Sequence, residues 1–331
     1  MNIQEIYKLA IEIVIKNYFR PKQQIEKILK RQKEKYSKLS KEDKALFDTE
    51  KITNPYLDSR IHFAGGNKAI KRVMAGIDID TSELMMARYL SEHNPKKPID
   101  LVIGHHPEGK ALADLADVMH LQADVYAQYG VPINVAENLM RVRIGEVSRG
   151  VSASNHFKEV DAARLLGLNF MNVHTPADNL VAKFVEKKVL ADKPEYVGDI
   201  IKSLLKIPEY REGELRGAGP RLFTGNEENR CGKIAFAEIT GGTSGSSKMY
   251  EKLGQAGIGT IISMHQSEEF RKQAEEAHIN VIIAGHISSD SIGMNLFLDE
   301  LEKKGIEIVP CSGLIRVSRI KKEKSTKKQI A

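Results

Sequence analysis

The stretch "RVMAGIDIDTSELMMARYLSEHNPKKPIDLVIGHHP", residues 72–107, decides the fold class. Val73, Ala75, Ile77 and Ile79 alternate on one face, the period of a half-buried strand. "TSELMMARYLSEH" then changes to helical spacing behind a capping residue. "DLVIG" is a second strand, and it runs straight into His105 and His106. Strand, helix, strand is the grammar of an α/β fold. In such folds the groups at the carboxyl ends of strands line the ligand crevice. Two adjacent imidazoles at a strand end therefore raise a question of chemistry.

The same alternation recurs on both sides of a less regular middle. "ALADLADVMHLQADVYAQYG" reads as a helix closed by Gly130, "SNHFKEVDAARLLG" as another closed by Gly167, and "NFMNVH" as a strand. Later, "KIAFAEI", "GTIISM", "INVIIAG" and "IEIVP" read as strands separated by helical patterns. The first seventy residues read differently. Ile3, Ile6, Ala10 and Ile13 make one helical face, a highly charged helical segment follows, and "SKEDKALF" resembles an N-capped third helix. The expected organisation is a helical segment over 1–70, a first α/β lobe over 71–180 and a connector or insertion over 181–230. A second α/β lobe over 231–318 and a basic tail over 319–331 complete it.

Composition narrows the function classes. The chain has 331 residues and 41% hydrophobic content, enough for a sizeable core. Aromatics make up 6% and Trp is absent, which weakens the case for base-stacking or carbohydrate platforms. Two cysteines, Cys231 and Cys311, suggest neither a zinc ribbon nor a disulfide framework, and a reducing cytoplasm is expected. Charged residues interrupt the apolar N-terminus and no apolar run approaches a bilayer span, so neither a signal peptide nor a membrane partner is expected. The formal charge of +6 is loaded at the two ends, which reads as solvated helix faces rather than a nucleic-acid surface.

Three strands end in imidazoles: His105 and His106 after "DLVI", His174 after "NFMNV", and His286 after "INVIIA". The last two are each followed by a carboxylate four positions on, Asp178 and Asp290. Neutral imidazole with carboxylate suits zinc, iron, manganese and similar divalent ions. Adjacent side chains on an extended backbone diverge, so His105 and His106 point to two ions held close together rather than one. Asp178 and Asp290 also have a structural reading as helix N-caps.

The ordered set "HHP", "HTxxD", "GGTSGS" and "AGHxxxD", spread over residues 72–309, resembles the NIF-three-like family, whose bacterial members often carry the label type-2 GTP cyclohydrolase I. The resemblance implies two α/β lobes with a dinuclear metal site in the cleft between them, in a toroidal homohexamer. Carried over by position, it implies ligands at His105, His106, Asp178, His286 and Asp290, with His174 close by. The chain departs from the family where the last motif ends in Asp290 rather than Glu, one methylene shorter. Glu108, Gly109 and Lys110 also replace the bulky apolar residues that often follow "HHP".

The expected function is a metal-dependent hydrolase acting on a small, anionic, nucleotide-like molecule, with two divalent ions as cofactors. His174 or Glu108 would move protons. Lys110 and the turn "GGTSGSS", through Gly242, Ser244 and Ser246, are the available anion contacts; a tight strand-to-helix turn is the structural alternative for that loop. Asp78 and Asp80 in "GIDID" read as structural. Ser244, Ser246 and Ser247 show no base partner, so no serine nucleophile is expected. Two other readings remain open. One is a metal-dependent phosphoesterase, since "GIDID", "GHHP" and "HISSDSIG" faintly resemble the DHH phosphoesterases, in the wrong order. The other is a metal-binding adaptor that docks a protein partner through its first seventy residues.

Overall fold

Among the described residues nine short strands form two sheets. The computed structural model describes residues 1–16, 20–66 and 68–320. The first sheet holds β1 (Ile61–Phe63), β2 (Arg72–Gly76), β3 (Leu101–Gly104), β4 (Phe170–Asn172) and β9 (Glu307–Pro310), in the order β1-β4-β3-β2-β9. The second holds β5 (Arg221–Thr224), β6 (Lys233–Glu238), β7 (Ile258–Ser263) and β8 (Asn280–Ile283), in the order β5-β8-β7-β6. In each sheet one edge strand, β1 or β5, is antiparallel and the rest are parallel. The α/β class and the two lobes expected from sequence are present.

Burial explains the strands. β3 and β8 are buried along their whole length, as parallel strands covered on both faces should be. Helices Thr175–Ala191 and His286–Glu302 lie between the two sheets. Val181 and Ile292 enter the core of the second lobe, while Ala177, Met294 and Phe297 enter the core under the first. Their close approach depends on Gly293, where an added Cβ would stand 2.4 Å from the Ala177 carbonyl oxygen. These two helices carry Asp178 and Asp290 near their N-terminal ends, so the packing that joins the lobes also sets the site.

Several boundaries differ from the sequence reading. β9 pairs with β2 and belongs to the first sheet, not the second lobe; alternation identifies a strand but not its partner. The 181–230 segment is no mere connector: it contains helices Val197–Leu205 and Pro208–Leu215 and the edge strand β5. β1, in the stretch "NPYLDSRIHFAGGNKA" of the 1–70 segment that reads as a loop, joins the first sheet. Residues 109–128 form three short helices rather than one. The 19-residue helix Ile133–Val151 has no counterpart in that reading; only Ala136 and Met140 on it are buried, so its apolar stripe is faint. At the N-terminus, Ser40 caps the third helix as expected, but Val14 rather than Ile13 completes the buried face of the first. Arg319 is anchored on the fully buried Glu209 at 2.7 Å, so the last segment starts docked; residues 321–331 of the expected basic tail lie outside the described residues. Among the described residues no helix is long and apolar enough to cross a membrane.

Candidate metal centre

His105 and His106 follow β3 directly. His174 is the N-cap of helix Thr175–Ala191, with Asp178 one turn in. His286 opens helix His286–Glu302, with Asp290 one turn in. Positions i and i+4 share a helix face, so each imidazole sits beside its carboxylate. Asp178 lies in the first turn of its helix, where the macrodipole favours a carboxylate. Neither aspartate is the N-cap residue, which removes the capping alternative.

Folding brings these six side chains together. His105 Nε2 lies 3.4 Å from Asp178 Oδ1 and 3.5 Å from Asp290 Oδ1. His106 Nε2 and His286 Nε2 each lie 3.5 Å from Asp290 Oδ2. Three overlapping groups have the reach to hold an ion: His105, Asp178 and Asp290; His106, His286 and Asp290; and His105, His106 and His174. Asp290 belongs to two of them, with one oxygen turned to each.

The separations fit shared ions better than hydrogen bonds. A good N–H···O bond spans about 2.7–3.2 Å. Two donors on one tetrahedral ion, each bound at about 2.1 Å, stand about 3.4 Å apart. His105 Nε2, Asp178 Oδ1 and both Asp290 oxygens are buried with no hydrogen-bond partner. Orphaned buried polar atoms on this scale are costly unless something satisfies them. A buried His/Asp cluster of this chemistry fits divalent metal.

An outer layer aims the imidazoles. His105 donates Nδ1–H to the Val173 carbonyl at 2.9 Å. His106 donates to Asp78 Oδ1 at 2.6 Å, and His174 to Asp58 Oδ2 at 2.8 Å. Each contact fixes the proton on Nδ1 and leaves Nε2 facing inward, the usual arrangement behind a ligating histidine. Asp58 also accepts from the Thr175 hydroxyl at 2.6 Å, and the Ser59 hydroxyl accepts from His174 N at 2.9 Å. The last part of the N-terminal segment is thus built into the site.

Electrostatics report the same crowding. Burial opposes the charged form of His105, yet the Asp290 and Asp178 carboxylates push its pKa well up. His106 is likewise buried and still raised to about 9 by Asp290 and Asp78. Asp290 is held far below the usual carboxylate range: burial resists its ionisation, but His105, His106 and His286 outweigh it. Without a metal, protons supply the positive charge this cluster requires.

The open face of the cluster is a solvent-open pocket. His174, Asp178, His286 and Asp290 line one side; Glu238, Thr240, Gly242, Ser244 and His265 line the other. The Gly-rich loop reaches it because Gly241 and Gly242 take φ of +105° and +91°, and Gln122 and Arg143 hold its carbonyls. Gly242 and Ser244 face the pocket, while Ser246 is not among its lining residues and its carbonyl accepts from Met249 N. Two expected site residues lie elsewhere. Lys110 Nζ is 3.4 Å from Asp114 and 3.7 Å from Asp48. Glu108 is turned to Glu159, and burial with that like charge raises it to about 7 away from the pocket lining. Sequence reasoning missed Asp58, Glu238 and His265. Ser244, expected to lack a base, has His265 Nδ1 at 3.0 Å.

A scan against protein-family models finds no match, and no curated protein matches. Among solved structures, the chain is similar to a NIF3 superfamily protein from Sphaerobacter thermophilus. The TM-score is 0.69 and the identity 30%, over 78% of this chain and 92% of that one. Reduced HcgD from Methanocaldococcus jannaschii also aligns, with a TM-score of 0.45 and 16% identity over 76% and 87%. The identity to the Sphaerobacter protein, over nine-tenths of that chain, goes beyond shared architecture, and with it the chain belongs to the NIF3 superfamily.

Proposed function

We propose that the chain is a dinuclear metal-dependent hydrolase of small molecules. The observation that supports this best is Asp290, which offers one oxygen beside His105 and the other beside His106 and His286. His105, Asp178 and Asp290 would hold an inner ion, and His106, His286 and Asp290 an outer one. When bound, such a pair supplies Lewis acidity and lowers the pKa of water toward neutrality.

The chain's own groups do the rest. His174 has its Nδ1 proton committed to Asp58 and its Nε2 at the pocket, so Nε2 is the acceptor for a proton from an attacking water. The buried ligand oxygens of Asp178 and Asp290 sit in low-dielectric surroundings that strengthen charge interactions at them. Lys110 is committed to Asp48 and Asp114, so recognition of an anion falls to the cations and the Gly242–Ser244 loop. Ring opening of a purine nucleotide, which the family label implies, and phosphoester cleavage are the first reactions to try.

The test has two parts. Metal content is measured on the wild type, His105→Ala and His106→Ala; unchanged content in both variants removes the centre. Metal-loaded protein is then given GTP, other nucleotides and aryl phosphates. Consumption that is lost with the metal supports the reading. Tight metal binding with no substrate consumed, and a protein partner retained by residues 1–70, would favour an adaptor instead.

A further inference from the structure

Across the pocket from the metal ligands stands a carboxyl group that the scheme above leaves unused. Glu238 is the last residue of β6, half-buried, with its side chain in the pocket wall. Among the described residues no lysine, arginine or histidine pairs with it. Its partners are two phenols: Tyr126 donates to Oε1 at 3.0 Å and Tyr250 to Oε2 at 3.3 Å. The Gln266 amide donates to the Tyr250 hydroxyl at 3.4 Å, which directs the phenolic proton toward Glu238.

A carboxylate held only by neutral donors in a buried wall is a group that readily takes up a proton. Burial pushes Glu238 up to about 7, against the opposing pull of the two tyrosine hydrogen bonds. Other titratable groups facing this wall are Tyr126 from helix His120–Gln128, Tyr250 from helix Met249–Gln255, and His265 beyond β7. His174, His286, Asp178 and Asp290 face it from across the pocket. The two phenolic protons already occupy one lone pair on each oxygen. A proton taken up by Glu238 therefore sits on a remaining lone pair, and the open side of this residue is the pocket.

We propose that Glu238 is the general acid of the pocket, protonating the leaving atom of the substrate; this rests on the hydrolase reading above. The step balances. Water oxygen bonds to the electrophilic carbon or phosphorus, and the bond to the leaving atom breaks with its electron pair on that atom. The leaving atom takes the Glu238 proton, the water's proton goes to His174 Nε2, and exchange with solvent restores both groups. Tyr126 and Tyr250 are positioning residues that hold the carboxyl toward the pocket.

The experiment compares wild type and Glu238→Gln, both metal-loaded, on phenyl phosphate and p-nitrophenyl phosphate. p-Nitrophenolate leaves without help; phenolate needs a proton. The variant is expected to keep wild-type metal content, melting temperature and KM. Its kcat on phenyl phosphate should fall about 100-fold or more, with a loss at least about tenfold smaller on p-nitrophenyl phosphate. Equal losses on the two esters, or loss of a metal ion, overturn the assignment while leaving the hydrolase reading intact. No turnover of either ester, or of any nucleotide, by the wild type overturns the hydrolase reading and this inference with it. Tyr126→Phe provides an independent check. It removes a hydrogen bond that favours the ionised carboxyl, so the alkaline limb of kcat for phenyl phosphate should move to higher pH; an unmoved limb overturns the assignment.

Discussion

Asp290→Asn separates a shared carboxylate from an ordinary ligand. Asparagine keeps the shape of the side chain but replaces one oxygen with an amide nitrogen that carries no lone pair for a metal, and it removes the negative charge. In the wild type both oxygens are in use: Oδ1 lies 3.5 Å from His105 Nε2, and Oδ2 lies 3.5 Å from both His106 and His286. One ligand group therefore loses its oxygen donor, and the other keeps only a neutral amide oxygen in place of a charged carboxylate oxygen. Loss of an outer-layer partner alone costs roughly 10- to 100-fold in metal affinity. Loss of a direct ligand at one ion and of the carboxylate charge at both should cost at least about 100-fold in affinity for each ion, or about 2.8 kcal/mol. Asp178→Asn weakens only the inner group and His286→Ala only the outer one. After dialysis against a competing chelator, elemental analysis should find about two ions in the wild type, about one in each single-group variant and none in Asp290→Asn. Retention of as much metal by Asp290→Asn as by Asp178→Asn would refute the idea that Asp290 serves both groups.

Other outcomes follow from the same geometry. The pKa of His106 rises from an ordinary 6.5 to about 9 in the metal-free fold. Its stabilising contribution is thus complete below pH 6.5 and disappears as pH climbs through 9. Scanning calorimetry of chelated protein should show melting temperature falling across that window. Metal affinity should rise over the same window, because ligation requires neutral imidazole. Asp58→Asn should lower hydrolysis about 10- to 100-fold with metal content unchanged, since it frees the His174 ring without removing a ligand; loss of metal would make His174 a ligand instead. Gly293→Ala would place a Cβ 2.4 Å from the Ala177 carbonyl, and should cost about 1–3 kcal/mol in urea unfolding by prising apart the helices that carry Asp178 and Asp290.

Much of the site was legible because its ligands obey local rules. His105, His174 and His286 each close a strand, and two aspartates follow at helical spacing. The same rule, applied once more, would have flagged His265 just beyond β7. Lys110 was misread although its i+4 partner, Asp114, was visible in the sequence. Glu238 carried a subtler signal, a charge closing the apolar run "IAFA". Asp58 carried none: it meets His174 from 116 positions away, out of a segment that reads as loop, and only tertiary closure joins them. The placement of β9 was beyond reach for a similar reason. Alternation in "IEIVP" marks a strand, but pairing with β2 depends on the helix His286–Glu302 carrying the chain back across the molecule.

The most direct test is anomalous diffraction from crystals of the metal-loaded protein, recorded at the absorption edge of the bound ion. The account predicts two peaks about 3.5–4 Å apart, one on each side of the Asp290 carboxylate, with His105 and Asp178 on one and His106 and His286 on the other. One peak, or peaks that leave Asp290 unligated, would contradict it.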